Sequence, residues 1–180
     1  KAIAEALKHS KNKVLTTLDL DGNLIGDDGA KAIAEALKVE SAVTTLSLRV
    51  NYIGVDGTKA IAEALKNNKV LTTLDLDFNS IGCNGSKAIA KALMDKNVLT
   101  ILDLGGNSIG ADGAKAIAGA LKNNTVMTDL NLQFNLIGVE GTKAIADSLK
   151  TNNVLTTLYL SRNSIGEGAE AIAKALQKKS

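Results

Sequence analysis

Leucines and asparagines recur along this chain at a fixed spacing of 28 residues. The first occurrence reads L-x-x-L-x-L-x-x-N, with Leu15, Leu18, Leu20 and Asn23 at its fixed positions. Apolar and polar residues alternate from Leu18 to Leu20, which predicts a β-strand with one buried face. The same frame returns along the whole chain and ends each time in an asparagine. These later asparagines are Asn51, Asn79, Asn107, Asn135 and Asn163.

The second half of each period predicts an amphipathic helix. In the phrase covering residues 29–38, Ile33 and Leu37 lie four positions apart, with alanines beside them and charged residues between. This is helical periodicity, and small alanines allow a helix to lie close to a sheet. An acidic or amide residue such as Asp28 precedes the helix, as suits its N-terminus. One strand and one helix cannot bury their apolar faces alone, so we expect stacked units that form a curved parallel sheet backed by helices.

Two further recurring residues have a predicted structural role. An asparagine just after a strand can bond the backbone of its own turn and of the neighbouring unit, so we expect an asparagine ladder. The glycine that follows three residues later marks a turn that we expect to need a positive φ. These glycines are Gly26, Gly54, Gly82, Gly110, Gly138 and Gly166.

The frame resembles the ribonuclease-inhibitor-like class of leucine-rich repeats, whose period is about 28 residues. The phrase LTTLDLDGNLIGDDGAKAIAEALK, from Leu15 to Lys38, is most similar to the repeat regions of NOD-like receptors. The resemblance implies an α/β fold, a right-handed leucine-rich-repeat solenoid (horseshoe) with a concave parallel β-sheet and convex α-helices. It also implies a non-catalytic protein-binding module. Ribonuclease inhibitor often has Cys at the ladder position, where this chain has Asn, so the resemblance transfers no ribonuclease-binding residues.

The period divides the chain into repeats of one domain, residues 1–180. A partial N-terminal repeat, comprising a helix and a loop, is predicted over residues 1–12. Because the chain begins inside a helical phrase without a polar cap, we expect a fragment of a larger receptor-like protein. The uncapped N-terminal face is then exposed or packs end to end in self-association. The six full repeats are predicted at 13–40, 41–68, 69–96, 97–124, 125–152 and 153–180.

Composition excludes several classes of function. The formal net charge of +2 is too small to indicate a nucleic-acid partner. No apolar run approaches the roughly 18 residues that span a membrane. A single cysteine, Cys83, excludes an internal disulfide framework and suits a reducing, cytoplasmic setting. The only histidine, His9, has no nucleophile partner in the frame, so we predict neither catalysis nor a cofactor.

The outward-facing positions of the strand frame form the predicted binding surface, on the concave side. Six aspartates and two arginines occupy them, a net charge of −4. This favours a protein partner with a basic surface over nucleic acid, although aspartates also keep an exposed sheet soluble. Exposed aromatic residues on a rigid scaffold are typical contact anchors. The predicted contact residues are Asp19, Asp21, Arg49, Val50, Asp75, Asp77, Phe78, Ile101, Asp103, Asp129, Phe134, Tyr159 and Arg162.

Two phenylalanines on this face suggest a contact feature. Phe78 and Phe134 occupy the same repeat position two repeats apart, so strand spacing separates them by roughly 10 Å. Because Gly105–Gly106 lies between them, we expect a notch walled by the two rings, with Ile101 and Asp103 at its floor. The alternative is that both rings fold onto the loop edge and cover backbone.

The chain has two arginines, Arg49 and Arg162, and both lie on this face. One interpretation is an arginine finger, as in a GTPase-activating module of the Ran activator type. However, Asp21, Arg49 and Asp77 share one position on adjacent strands, which predicts a structural charge ladder. The two arginines also lie four repeats apart and cannot converge. A third alternative is an artificial or recently duplicated repeat scaffold without a specific partner.

Three aspartates on neighbouring strands raise the question of a metal ion. Asp75, Asp77 and Asp103 carry the oxygen ligands that hard cations prefer. Carboxylates on a flat sheet rarely enclose a cation, however, so we do not predict a metal site.

Overall fold

The computed structural model describes Glu5 and residues 14–39, 42–95 and 98–177. Apart from Glu5, the N-terminal helix and loop predicted over 1–12 lie outside the described residues, as does the face through which end-to-end packing is predicted. Within the described ranges, six short strands alternate with six helices. The strands are β1 (Thr17–Asp19), β2 (Thr45–Ser47), β3 (Thr73–Asp75), β4 (Ile101–Asp103), β5 (Asp129–Asn131) and β6 (Thr157–Tyr159). The helices are α1 (Gly26–Leu37), α2 (Val55–Asn67), α3 (Gly82–Met94), α4 (Gly110–Leu121), α5 (Gly138–Leu149) and α6 (Gly168–Gln177).

All six strands form one parallel sheet in chain order. Each strand pairs with the next at an offset of one period, so that Leu46 lies opposite Leu74 and Leu74 opposite Leu102. Each helix packs against the helix of the following repeat. The predicted α/β repeat fold with one parallel sheet backed by helices is confirmed.

The core lies between the sheet and the helices. The central leucine of each inner strand is buried, as at Leu74 and Leu102, and packs in one cluster with helical residues such as Ile61 and Ile89. Side chains alternate across a strand, so the residues that flank each central leucine point away from the helices. We call this outward side of the sheet the open face.

The asparagine after each strand holds neighbouring repeats together. Asn79 is buried, and its Oδ1 accepts hydrogen bonds from the backbone amides of Asn51 (3.1 Å) and Ile53 (2.9 Å). Its Nδ2 donates to the carbonyl oxygens of Leu48 and Leu76, both at 2.9 Å. The other buried ladder asparagines make corresponding bonds. The predicted structural ladder is therefore confirmed.

A second asparagine ladder, which we did not predict, follows the helices. Asn152 Nδ2 donates to the carbonyl oxygen of Leu121 at 2.7 Å, across to the preceding repeat. Its Oδ1 accepts hydrogen bonds from the amides of Val154 (3.0 Å) and Leu155 (2.8 Å). Asn68 and Asn124 make the same set of contacts. The recurring phrase Asn-x-Val followed by Leu or Met is the sequence signal for this ladder.

The predicted positive φ is wrong at one of the six recurring glycines. Gly54 has a φ of −95°, because a carboxylate from the preceding repeat organises this turn. Asp27 Oδ1 accepts hydrogen bonds from the amides of Gly54 (2.7 Å) and Gly57 (2.8 Å) at the start of α2. Asp27 thus satisfies two amides that the helix cannot pair internally. The five glycines with positive φ are Gly26, Gly82, Gly110, Gly138 and Gly166.

The helices begin earlier than the sequence pattern predicts. Asp28 lies in the first turn of α1 instead of before it, and Glu140 lies in the first turn of α5. Each acidic residue forms an ion pair with the lysine three positions later, at 3.8 Å for Lys31 and 3.1 Å for Lys143. Cys83 lies half-buried near the start of α3.

Candidate functional site on the open face

The candidate site joins the open face to the loop residues that follow each strand. Backbone hydrogen bonds continue the parallel pairing into these loops, from the amide of Val50 to Asp77 O (3.0 Å) and from the amide of Phe78 to Gly105 O (2.9 Å). Residues at corresponding loop positions therefore stack along the solenoid as the strands do. We call the row formed by Gly22, Val50, Phe78, Gly106, Phe134 and Arg162 the loop edge.

Two phenylalanines of the loop edge contact one another. The ring centroids of Phe78 and Phe134 lie 6.1 Å apart with a 42° angle between the planes. The Phe78 ring covers Gly106, since a Cβ at that glycine would come within 2.8 Å of Phe78 Cδ1. Both rings remain 48% exposed. They form an exposed aromatic pair.

The predicted notch between these rings is therefore wrong, and so is its floor of Ile101 and Asp103. The prediction used the separation of the backbones, about 10 Å. A phenylalanine side chain reaches several ångströms from its Cα, and Gly106 leaves the space between the two rings empty. The rings close this space because their contact removes apolar surface from water.

Arg49 is held by two neighbours on the following repeat. Its Nε lies 3.1 Å from Asp77 Oδ2, and its guanidinium carbon lies 5.7 Å from the centroid of the Phe78 ring. Asp21 does not pair with this guanidinium, because its Oδ1 accepts hydrogen bonds from the Arg49 amide (3.0 Å) and the Ser47 hydroxyl. The predicted charge ladder is thus correct for Arg49 with Asp77 and wrong for the Asp21 side chain.

A group of carboxylates lies beside the aromatic pair. Asp75 and Asp103 are Cα partners on β3 and β4, and Asp75 Oδ1 accepts a hydrogen bond from the Asp77 amide at 2.8 Å. Asp103 accepts hydrogen bonds from the Gly105 amide (2.8 Å) and from Asn131 Nδ2 (2.9 Å). Burial, together with the charges of Asp103 and Asp77, raises the pKa of Asp75 to about 6. The pKa of Asp77 is also raised, mainly by burial and by Asp103, although Arg49 opposes the shift.

The aspartates of this group have hydrogen-bond or ion-pair partners within the chain. Within the described part of the chain, no group of three or more His, Cys, Asp or Glu residues is arranged to hold a metal ion. The lone pairs of Asp75 and Asp103 accept hydrogen bonds from backbone amides and from Asn131. The site therefore offers negative charge and aromatic surface.

The remaining predicted contact residues are spread along the open face and its loop edge. Asp19 is exposed at the end of β1 and accepts a hydrogen bond from the Asp21 amide at 3.0 Å. The hydroxyls of Thr128 and Thr157 lower the pKa of Asp129 by bonding its carboxylate. The others are exposed on β4, on β6 and at the end of the loop edge. These are Ile101, Tyr159 and Arg162.

A second row of exposed apolar residues, which we did not predict, follows two positions after the loop edge. Leu24, Tyr52 and Leu136 are 74%, 67% and 69% exposed. All three have a positive φ, between 53° and 57°. The sequence signal is a large apolar residue just after the ladder asparagine in three repeats, at a position that is Ser80, Ser108 and Ser164 in the other three. Exposed apolar residues therefore lie beside the loop edge in three of the six repeats.

The described helices are too short, or too polar, to cross a lipid bilayer. Their exposed sides carry lysine–carboxylate pairs three or four residues apart, which is typical of a solvated face. The exposed aromatic residues Phe78, Phe134 and Tyr159 lie instead on the open face and its loop edge.

A parallel sheet with one open face, backed by helices and extended by asparagine ladders, defines a solenoid of the repeat-protein class. The chain belongs to the Leucine Rich repeat family, which matches residues 11–34, 67–90, 96–118, 123–146 and 151–173.

Solved structures with the same fold include two that align over nearly the whole chain. The leiomodin-1 actin-binding site 2 (ABS2) has a TM-score of 0.59 and 22% identity, covering 97% of this chain and 86% of that one. The C-terminal domain of tropomodulin from Caenorhabditis elegans has a TM-score of 0.58 and 12% identity, covering 98% and 90%. At these identities the likeness shows the fold alone. A comparison with curated protein sequences gave no significant match.

Proposed function

We propose that this chain is a non-catalytic protein-interaction module that binds a protein partner on the open face of its sheet. The observation that carries the proposal is the exposed pair of Phe78 and Phe134 beside the carboxylates of Asp75 and Asp103. Aromatic side chains dominate the energetics of protein interfaces when they lie near the centre of a contact surface. This pair lies in the middle repeats.

Two finer assignments belong to the same proposal. The 28-residue period and the phrase from Leu15 to Lys38 support the ribonuclease-inhibitor-like class and the NOD-like receptor subset. We propose on this basis that the chain is the repeat region of a larger receptor-like protein that acts in the cytoplasm. Because one similar solved structure is an actin-binding site, purified actin is a concrete first protein to test.

The GTPase-activating alternative has less support. An arginine finger must project into the active site of the GTPase. The guanidinium of Arg49 instead lies against Asp77 and the ring of Phe78. Arg162 lies at the other end of the loop edge, four repeats away.

Affinity capture with matched variants tests the proposal. The double variant Phe78→Gly/Phe134→Gly removes the aromatic pair, and glycine already occupies this row at Gly22 and Gly106 with φ values of 67° and 59°. The control is Met94→Ala/Leu176→Ala, which removes apolar side chains that are 61% and 55% exposed on helices. Wild-type and control chains are expected to capture the same proteins from a lysate, and the glycine variant is expected to lose them.

Two results would contradict the proposal. One is an unchanged set of captured proteins with Phe78→Gly/Phe134→Gly, which would place the contact elsewhere. The other is no selective capture by the wild-type chain, as an artificial repeat scaffold without a partner would behave. Purified actin filaments, co-sedimented with each chain, decide whether actin is the partner.

A further inference from the structure

We infer that the open face recognises a protein segment in which a basic side chain stands next to an apolar one. The apolar side chain packs on the Phe78–Phe134 pair, and the lysine or arginine lies beside Asp75 and Asp103. The inference rests on the proposed function and specifies the chemistry of the partner. Four observations support it.

The first observation is the apolar surface of the loop edge. Phe78 and Phe134 remain half exposed although they contact each other, and Val50 lies one repeat before Phe78 at 42% exposure. Tyr52 and Leu136, two positions after Val50 and Phe134, are further exposed residues with apolar surface. Contiguous exposed apolar patches on soluble proteins mark contact sites.

The second observation is the backbone conformation of these residues. Val50, Phe78 and Phe134 have φ values of 53°, 49° and 55°. The left-handed region costs a residue with a side chain about 1–2 kcal/mol. Gly22 and Gly106 adopt the same conformation in the same row without that cost. The fold therefore does not require these apolar side chains, and contact with a partner accounts for them.

The third observation is the uncompensated negative charge beside the rings. Arg49 pairs with Asp77, whereas none of the ion pairs among the described residues involves Asp75 or Asp103. Those two carboxylates stand on adjacent strands, about 5 Å apart by strand spacing. A cation from a partner is the complement that this arrangement lacks, and an anionic partner would be repelled.

The fourth observation is an example of this recognition within the chain itself. Arg49 places its guanidinium 3.1 Å from Asp77 Oδ2 and 5.7 Å from the centroid of the Phe78 ring. A carboxylate and an aromatic ring thus receive one basic side chain together, by an ion pair and a cation–π contact. Asp103 and Phe134 offer the same two chemical groups in the following repeats, a carboxylate on β4 and an exposed ring on the loop edge.

Three fluorescein-labelled peptides of equal length test the inference with the full chain. The first alternates lysine with leucine, the second lysine with serine, and the third glutamate with leucine. By fluorescence anisotropy, the lysine–leucine peptide is expected to bind about tenfold more tightly than either of the others, which corresponds to about 1.4 kcal/mol. Equal affinities, or tighter binding of the glutamate–leucine peptide, would overturn the inference.

Two double variants separate the apolar contact from the charged contact. Phe78→Gly/Phe134→Gly should abolish the preference for leucine over serine, because the apolar contact is gone. Asp75→Asn/Asp103→Asn should abolish the preference for lysine over glutamate and leave the leucine contact. The control Met94→Ala/Leu176→Ala should keep both preferences. Circular dichroism and thermal melting establish that each variant is folded, and Gly22 and Gly106 show that the row tolerates glycine.

The inference and the proposed function fail in different ways. If the captured proteins depend on Phe78 and Phe134 but the peptides show no preference, the open face binds proteins of another chemistry, and the inference alone is wrong. If the set of captured proteins is also unchanged after both rings are removed, the proposed function is wrong as well.

Discussion

We expect Asp75 to lower the stability of the folded chain at neutral pH, and unfolding measurements can test this. Its half-buried carboxylate lies beside Asp103 on the next strand and Asp77 in its own loop, and its pKa rises from 3.8 to about 6. The folded chain therefore holds this proton more tightly than the unfolded chain does. Stability should rise as the pH falls from above 6 toward 4, because protonation removes an unfavourable charge from the folded state.

The substitution Asp75→Asn removes the charge and keeps an oxygen that can accept the hydrogen bond from the Asp77 amide, now 2.8 Å long. The full difference between a pKa of 3.8 and one of about 6 corresponds to roughly 3 kcal/mol. Solvent on the open face screens this interaction, so we expect a gain of about 1 kcal/mol near neutral pH. For a domain of this size the melting temperature should rise by about 2–4 °C.

Urea unfolding at neutral pH and near pH 4.5 measures the effect. The gain from Asp75→Asn should be largest at neutral pH and should shrink by roughly half or more near pH 4.5, where the wild-type Asp75 is already protonated in the folded chain. An equal slope of free energy against urea for both chains shows that the substitution changed stability and not compactness.

Asp19→Asn is the matched control. Asp19 has the same position in its repeat, and its Oδ1 accepts a hydrogen bond from the Asp21 amide at 3.0 Å. It is exposed, however, and its strand neighbour is Ser47 instead of a second aspartate. The control should change stability little at either pH. A loss of stability in Asp75→Asn at neutral pH, or a gain that is equal at both pH values, would refute the electrostatic reasoning.

Three substitutions test the structural contacts. Asn107→Ala leaves several buried backbone groups unpaired, so it should lower the free energy of unfolding in urea by about 3 kcal/mol. Asn23→Ala, at an exposed position, should lower the free energy of unfolding less. Equal losses for the two variants would contradict the ladder. Asp27→Ala should lower the free energy of unfolding by about 1–2 kcal/mol and accelerate hydrogen exchange at the Gly54 amide. Unchanged exchange would contradict the role of Asp27 at the start of α2. Val50→Gly should keep the free energy of unfolding within about 1 kcal/mol of wild type, because relief of left-handed strain offsets the added freedom of the unfolded chain. A larger loss of stability in thermal melting would show that the Val50 side chain is needed for folding.

The features that repeat could be predicted from the sequence because each depends on one residue type at one spacing. A leucine such as Leu74 is buried in every inner repeat for the same reason, so a single frame defines the strands, the core and the register. Asn79 bonds the backbone at fixed offsets, and backbone geometry is the same in each unit. The helix-end ladder of Asn68, Asn124 and Asn152 follows the same logic and was accessible from its recurring phrase.

The predictions that were wrong concern contacts in which one side chain reaches into a neighbouring repeat. Spacing alone placed Phe78 and Phe134 apart, and only the empty volume above Gly106 allows the rings to meet. Asp27 changes the turn at Gly54 because its carboxylate crosses to the next repeat. The repeat pattern does not encode such contacts, since the residues that make them are absent from most repeats.

At the loop edge, the residue that best suits the fold differs from the residue proposed for binding, and this difference is clearer there than on the strands. In our proposal a strand position must hold a residue that suits both the sheet and the partner, and burial raises the pKa of Asp75 at such a position to about 6. A loop-edge position needs only a left-handed backbone, which glycine provides best at Gly22 and Gly106. Each phenylalanine in this row therefore works against the local conformational preference, and its removal should reduce binding while leaving the solenoid folded. Because these two side chains are proposed for binding and are not needed for the backbone conformation, substitutions of Phe78 and Phe134 test the proposed function most directly.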